Sequence, residues 1–427
     1  MSAVATADPG HLSRTLSSPT AESERNPVVD ILRGFALFGI LLVNFPGSEA
    51  ARSGAADDTV RRLLSILVSG KFYTTFSFLF GLGFALQLLR AQARGQRVVP
   101  VYVRRMLALF AIGFAHFVLI WPGDVLQIYA FMGLFLIFFR NRSAKVLIVA
   151  AMLALGGEYY RSISEKPYTV RELVPHVTDP EQEQPLELQQ TLAYRDIQDV
   201  GRRVQTAERY GTYPEAVAAR FEVWKLSHRF AFRYVWFTSF AMFLIGMYAG
   251  RYGLLRYPLR PSPLIKRVML TAFPIWLLLG ILTTYGPQVL GSLYFKIHWK
   301  VLSLAWTLHA PAGSLFYVST ILFLFTRYPQ WVQTLAPLGS LGRMGLTSYL
   351  TQSVVGTFLY YGYGFGLRTT LGFLASVLLA AVIFALQMAF SRWWLRRFRF
   401  GPCEWLWRSM TYGSLQPMKR ERSEAGG

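Results

Sequence analysis

The sequence predicts an all-α protein, a polytopic transmembrane helix bundle of about ten spans. Of its 427 residues, 53% are hydrophobic and only 16% charged, an apolar share beyond that of a soluble chain of this size. Apolar stretches on the scale of a bilayer-crossing helix recur along it, about 17 to 25 residues at full length. Basic residues fall in every second loop between them, as the positive-inside rule requires. Short alternating segments of a transmembrane barrel are not present.

The expected spans, in order, centre on residues 31–45, 72–89, 106–121, 125–139, 146–159, 230–249, 264–285, 301–326, 344–361 and 371–390. Residues 1–26, rich in Ser, Thr and Ala and without an apolar core, are expected to form a disordered tail rather than a signal peptide. Residues 27–159 then hold about five spans and 229–415 the rest, with a second tail over 416–427. The intervening residues 160–228 are the one long polar insertion. Pro167, Pro175, Pro180 and Pro185 punctuate its first half, whereas Val200, Val204, Tyr213, Val217, Phe221 and Trp224 recur at broadly helical spacing. After the tenth span, the short segment from Phe400 to Gly413 is too polar to cross and is expected along the interface, with Glu404 and Arg408 as an i,i+4 pair.

Arg90, Arg94, Arg97, Arg104 and Arg105 follow the second span without an acid among them, which places that loop in the cytoplasm. Alternation then puts both termini in the cytoplasm and the insertion outside, as a lid on the outer face. The expected location is the bacterial cytoplasmic (inner) membrane and the expected partner its lipid bilayer. The net charge of +21 sits in the loops that orientation already explains, so nucleic acid is not an expected partner. Cys403 is the single cysteine and permits no intramolecular disulfide.

Polar residues inside the spans carry the candidate chemistry, because hydrocarbon makes such groups costly. Arg33 and Asn44 lie eleven residues apart in the first span, which on a helix places them on one face roughly 16 Å apart. Asp30, one turn before Arg33, is its cheap structural partner. His116 and His309 fall within the third and eighth spans, at a depth close to that of Asn44. The trio is expected to share a pocket, against the plainer reading that each makes a structural interhelical hydrogen bond. Asp124, in the tight turn Trp121-Pro-Gly-Asp124, either orients His116 or caps the following helix. Gly342 and Gly345 are expected to permit close helix packing, since no Lys-Ser/Thr follows them as in a phosphate loop. No metal-ligand spacing and no nucleophile elbow are present.

Several separated motifs, Pro27-Val-Val-Asp30-Ile-Leu-Arg33-Gly, Phe76-Ser-Phe-Leu-Phe-Gly81, Trp121-Pro-Gly-Asp124, Gly342-Arg343-Met-Gly-Leu-Thr-Ser-Tyr349 and Gly401-Pro-Cys-Glu404-Trp-Leu-Trp407-Arg408, occur in one order. In this the chain resembles the YeiB-like bacterial membrane proteins, which carry the domain of unknown function numbered 418. The resemblance implies an acyltransferase-3-like fold and, through those relatives, transfer of acyl groups from a cytoplasmic donor to an envelope glycan or lipid acceptor. Arg33, Arg104 and Arg105 are the candidates to hold the phosphates of such a donor, an acyl-coenzyme A, against the plainer reading that the loop arginines serve orientation alone. Where such relatives carry Arg, ten residues and His, this chain has Arg33 and Asn44. Asparagine is no general base at neutral pH. The expected catalytic set is therefore His116, His309, Asn44 and Asp124, with either histidine as base. A transporter or flippase of a polar or lipid-linked solute, or a non-enzymatic interaction protein, remains the alternative.

Overall fold

The computed structural model describes residues 24–45, 54–164, 199–230, 236–290 and 299–420. The tails, the proline-rich half of the insertion, His11, His176, His298 and the side chain of His228 lie outside the described residues. Among those described there is no strand; Phe398 and Lys419 form an isolated bridge.

The first helix, α1 (Pro27–Asn44), starts where the local chemistry directs: the Asn26 side chain accepts from Val28 N, Pro27 occupies the first turn and Asp30 faces the positive helix end. It is followed by α2 (Ala55–Leu67), α3 (Lys71–Ala93), α4 (Val99–Leu119), α5 (Leu126–Phe139) and α6 (Ala144–Ser164). The insertion contributes α7 (residues 199–210) and α8 (Tyr213–Phe230), so the helical spacing of Val200 to Trp224 does read as two helices. The second half holds α9 (Trp236–Arg251), α10 (Pro263–Leu290), α11 (Trp299–Arg327), the short α12 (Gln330–Thr334) and α13 (Ala336–Arg343), α14 (Gly345–Tyr360), α15 (Phe373–Leu395) and α16 (Pro402–Tyr412).

Among the described residues, seven helical stretches are long and apolar enough to cross a membrane: α1, α2 continued into α3, α4, α6, most of α10, α11 and α15. Helix α5 is apolar but has only 14 residues, about 21 Å of rise. Helices α9 and α14, at two further expected spans, have 16 residues each. The α11 helix runs through Pro311.

Backbone contact holds the bundle together at its tightest crossing. A Cβ at Gly81 of α3 would stand 1.9 Å from the Phe243 carbonyl oxygen of α9, and a Cβ at Gly246 of α9 would stand 1.9 Å from the Phe78 carbonyl oxygen of α3. Small residues facing each other let two helices approach where a hydrophobic drive between them is lacking. The same device seats α13 on α1, where a Cβ at Gly342 would lie 1.9 Å from the Asp30 carbonyl oxygen. That is the packing role expected of Gly342.

Candidate functional site

His116 lies in the last turn of α4, and the loop that follows turns back so that Asp124 lies against the helix it has just left. Their side chains are buried, 1% and 0% exposed, with His116 Nδ1 2.9 Å from Asp124 Oδ1. The other carboxylate oxygen accepts from Gln127 N in the first turn of α5, at 3.1 Å. Asp124 therefore orients the histidine and caps the next helix at once. Gly113 makes this possible, since a Cβ there would stand 2.9 Å from Asp124 Oδ2 and 2.8 Å from Gln127 N. An ionised carboxylate only accepts, so a neutral His116 carries its proton on Nδ1 and has its lone pair on Nε2. Nε2 is buried and has no hydrogen-bond partner among the described residues. The ring packs against Tyr349 of α14, with centroids 5.2 Å apart.

Tyr349 lines two cavities, each of about 280 Å³. The first is segregated by charge. Asp30 and Arg33 precede Leu37 and Ile40 along α1, Arg105 precedes Met106 and Leu109 along α4, and Arg343 precedes Leu346 and Tyr349 toward α14. Helix α3 runs the other way, from Phe76 and Phe80 to Gln87 and Arg90. All four therefore put their charges at one end and apolar side chains at the other. Phe76 and Arg90 are separated by about 21 Å of helix, a long chamber whose apolar end reaches Tyr349.

Seven arginines, Arg25, Arg33, Arg90, Arg94, Arg105, Arg343 and Arg408, face two acids, Asp30 and Glu404. Asp30 accepts from Arg33 at 3.1 Å and lies 4.0 Å from Arg25. Arg105 donates to Gln87 at 3.2 Å and lies 4.4 Å above the Trp407 ring. Arg408 stacks on Phe400 at 4.3 Å, while its Nε and Nη2 are buried without a hydrogen-bond partner among the described residues. Burial pulls its guanidinium down to about 10, still cationic at neutral pH.

Glu404 does not form the expected pair with Arg408. Its Oε1 accepts from Leu346 N at 2.5 Å and Thr347 N at 3.0 Å, and its Oε2 from Thr347 Oγ1 at 2.6 Å. The orphan amides at the start of α14 are worth more to a buried carboxylate than a guanidinium already stacked on an aromatic ring. Helix α16 thereby caps the helix that presents Tyr349.

The second cavity is lined by Asn44, Trp121, Tyr349, Gln352, Tyr361 and Arg368, among others. Of the expected trio only Asn44 lines a cavity; His116, like Asp124, lines neither and reaches the same tyrosine by ring contact, so the three do not share one pocket. His309 does not join them. It lines neither cavity, its Nδ1 lies 3.3 Å from the Trp306 carbonyl, and its charged neighbour is the fully buried Lys71. Equal expected depth in two helices does not specify equal azimuth. Arg33 and Arg105 both line the cationic chamber, whereas Arg104, next to Arg105, is exposed and lines neither cavity. Adjacent residues on a helix point about 100° apart.

The insertion is fastened to this site. Arg220 is fully buried, and its guanidinium donates to Glu208 at 3.1 Å, the Leu119 carbonyl at 3.2 Å and Tyr363 at 3.1 Å. Tyr213 donates to the same Leu119 carbonyl at 3.0 Å, filling an acceptor left open at the end of α4. Trp224 Nε1 donates to Gln127 Oε1 at 2.9 Å. Sequence reasoning missed Gln127, Tyr349 and Arg220. The signal for Gln127 was available: an amide in an otherwise apolar 14-residue helix.

Residues 249–414 match the family described as "Protein of unknown function (DUF418)". The chain is 34% identical to "Uncharacterized protein YxaH" of Bacillus subtilis (strain 168), over 94% of its own length and 98% of the relative's. It is 31% identical to "Uncharacterized 39.9 kDa protein in amylase 3'region" of Bacillus acidopullulyticus, covering 94% and 97% of the two chains. To "Uncharacterized protein YeiB" of Escherichia coli (strain K12) it is 28% identical, over 92% of this chain and 98% of that one. With near-complete coverage of a relative above 30% identity, the chain belongs to the YeiB-like DUF418 family of membrane proteins.

Proposed function

We propose that this protein is a membrane-embedded acyltransferase of acyltransferase-3-like fold, with ten spans once α5, α9 and α14 are counted, and with its arginine-rich end in the cytoplasm of the inner membrane. The cationic chamber receives the phosphates of an acyl-coenzyme A donor at Arg33 and Arg105, and its apolar depth receives the acyl end. The opposite cavity, with Asn44 on its wall, admits a hydroxyl of an envelope glycan or lipid. The observation that carries the reading is His116: a buried imidazole, oriented by a carboxylate, with its second nitrogen free beside the one tyrosine that faces both cavities. That is the arrangement of an oriented general base. The acceptor proton passes to His116 Nε2, the acceptor oxygen bonds to the acyl carbon as the carbon–sulfur bond breaks, and the imidazolium returns the proton to the departing thiolate.

The test is transfer of a radiolabelled acetyl group from acetyl-coenzyme A to envelope material in proteoliposomes. His116→Gln is expected to lower turnover about 10²- to 10⁴-fold, the range of a general base, and His309→Gln to change it less than about threefold. Retained transfer in His116→Gln removes the mechanism.

One observation favours a second reading, transport. A single tyrosine side chain lining both cavities is also how a gate between two half-channels would be built, and intramembrane ionisable residues mark transport routes. Solute accumulation without donor turnover selects it.

A further inference from the structure

The geometry points to Gln127 and Trp224 as positioning residues for the His116–Asp124 pair, which makes the extramembrane helix α8 a working part of the site rather than a detachable cover. This rests on His116 being the base, and it concerns how that base is held.

Gln127 is buried and fully committed. Its backbone N–H holds Asp124 Oδ2 at 3.1 Å, its amide nitrogen donates to the Gly113 carbonyl at 3.3 Å, and its amide oxygen accepts from Trp224 at 2.9 Å. Gly113 and His116 are one turn apart on α4. The amide therefore clamps the start of α5 to the stretch of α4 that carries the histidine, and the carboxylate between them has its second oxygen fixed. Trp224 closes the far side: its ring packs edge-on to Phe114 with centroids 4.8 Å apart and stacks on Phe221 at 5.9 Å. The relay runs from Trp224 through Gln127 and Asp124 to His116, three hydrogen bonds joined by the Gln127 and Asp124 side chains. Its consequence is a fixed tautomer. With Asp124 held, the imidazole proton stays on Nδ1 and Nε2 stays a lone pair. With Asp124 loose, the proton is free to sit on Nε2, and the base is lost without any change at the ring itself.

The experiment uses the full chain in lipid nanodiscs with ¹⁵N-labelled histidine. The His116 signals are assigned by their loss in His116→Gln, and the tautomer is read from the ring nitrogen shifts at a pH where the ring is neutral. Wild type is expected to show the Nδ1–H form. Trp224→Phe, which removes only the indole N–H, and Gln127→Met, which removes only the amide, are expected to shift the Nε2–H to Nδ1–H ratio about tenfold toward Nε2–H and to lower transfer in proportion to the Nδ1–H fraction lost. Tyr213→Phe is the control: it deletes a different bond from the same helix to α4 and is expected to leave the tautomer unchanged. Unchanged shifts in both Trp224→Phe and Gln127→Met overturn the proposal. An equal shift in Tyr213→Phe also overturns it, because general docking of α8 would then be responsible. The tautomer readout needs no turnover, so a protein without transferase activity would sink the functional reading and leave this inference standing.

Discussion

Glu404 offers the sharpest test of how the site is assembled, because one side chain joins two helices through three bonds. Glu404→Ala strands Leu346 N, Thr347 N and Thr347 Oγ1, which the carboxylate now accepts from at 2.5, 3.0 and 2.6 Å. Each orphaned donor costs about 1 to 1.5 kcal/mol, so the substitution is expected to cost about 3 to 5 kcal/mol. Glu404→Gln keeps an oxygen for both amides and disturbs only the threonine contact, about 1 kcal/mol. Ionisation adds a signed prediction. Burial pushes the Glu404 carboxyl up from its ordinary value of 4.5, while its bonds to Thr347 and Leu346 pull it partly back. A carboxyl raised in the folded state contributes stability that is fully present below the unfolded value and is lost as pH rises through the folded one. Wild type should therefore hold its largest advantage over Glu404→Gln near pH 4 and lose ground toward neutrality. The assay is equilibrium unfolding in mixed micelles, followed by tryptophan fluorescence across that pH range. A wild type that gains on Glu404→Gln as pH rises, or an alanine variant costing less than about 1 kcal/mol, refutes the reasoning.

Two further predictions concern the bundle and the chamber. At the α3–α9 crossing, a Cβ at Gly246 would have to retreat by more than an ångström from 1.9 Å, so Gly246→Ala is expected to destabilise by about 1 to 3 kcal/mol. Gly81→Ala opens the same gap, and the double variant should cost clearly less than the sum of the two in the same unfolding assay; strict additivity would show that the two contacts are independent. For the chamber, Arg33→Ala and Arg105→Ala are each expected to weaken coenzyme A binding about ten- to a hundredfold, the loss of one charge-assisted contact. Arg104→Ala, one residue away and exposed, is expected to change it less than about threefold, measured by isothermal titration in nanodiscs; equal losses at all three would mean a diffuse charge effect.

How much of this was legible beforehand depends on whether the information is local. The helical class, the positions of the apolar segments and the helical spacing in the second half of the insertion follow from hydropathy and periodicity, which the backbone reads within a turn or two. Asp30 as partner of Arg33 and Asp124 as partner of His116 were equally within reach, three and eight residues apart. Position along each helix was legible as well, because rise per residue is constant.

Azimuth was not. Whether Arg104 or Arg105 enters the chamber, and whether His309 meets His116, depends on how each helix is rotated about its axis, and that is set by contacts far apart in sequence, such as Gly81 against Phe243 and Asp30 against Gly342. Glu404 shows the same limit. An i,i+4 neighbour was the local candidate for its charge, but the amides of α14, 57 and 58 residues away, offered more hydrogen-bond donors than one stacked guanidinium. The chain by itself determined which polar groups fall inside apolar helices and how far along each helix they lie. Only the tertiary structure decided which of them face one another, because the energy that rotates a helix comes from its packed neighbours and not from its own residues.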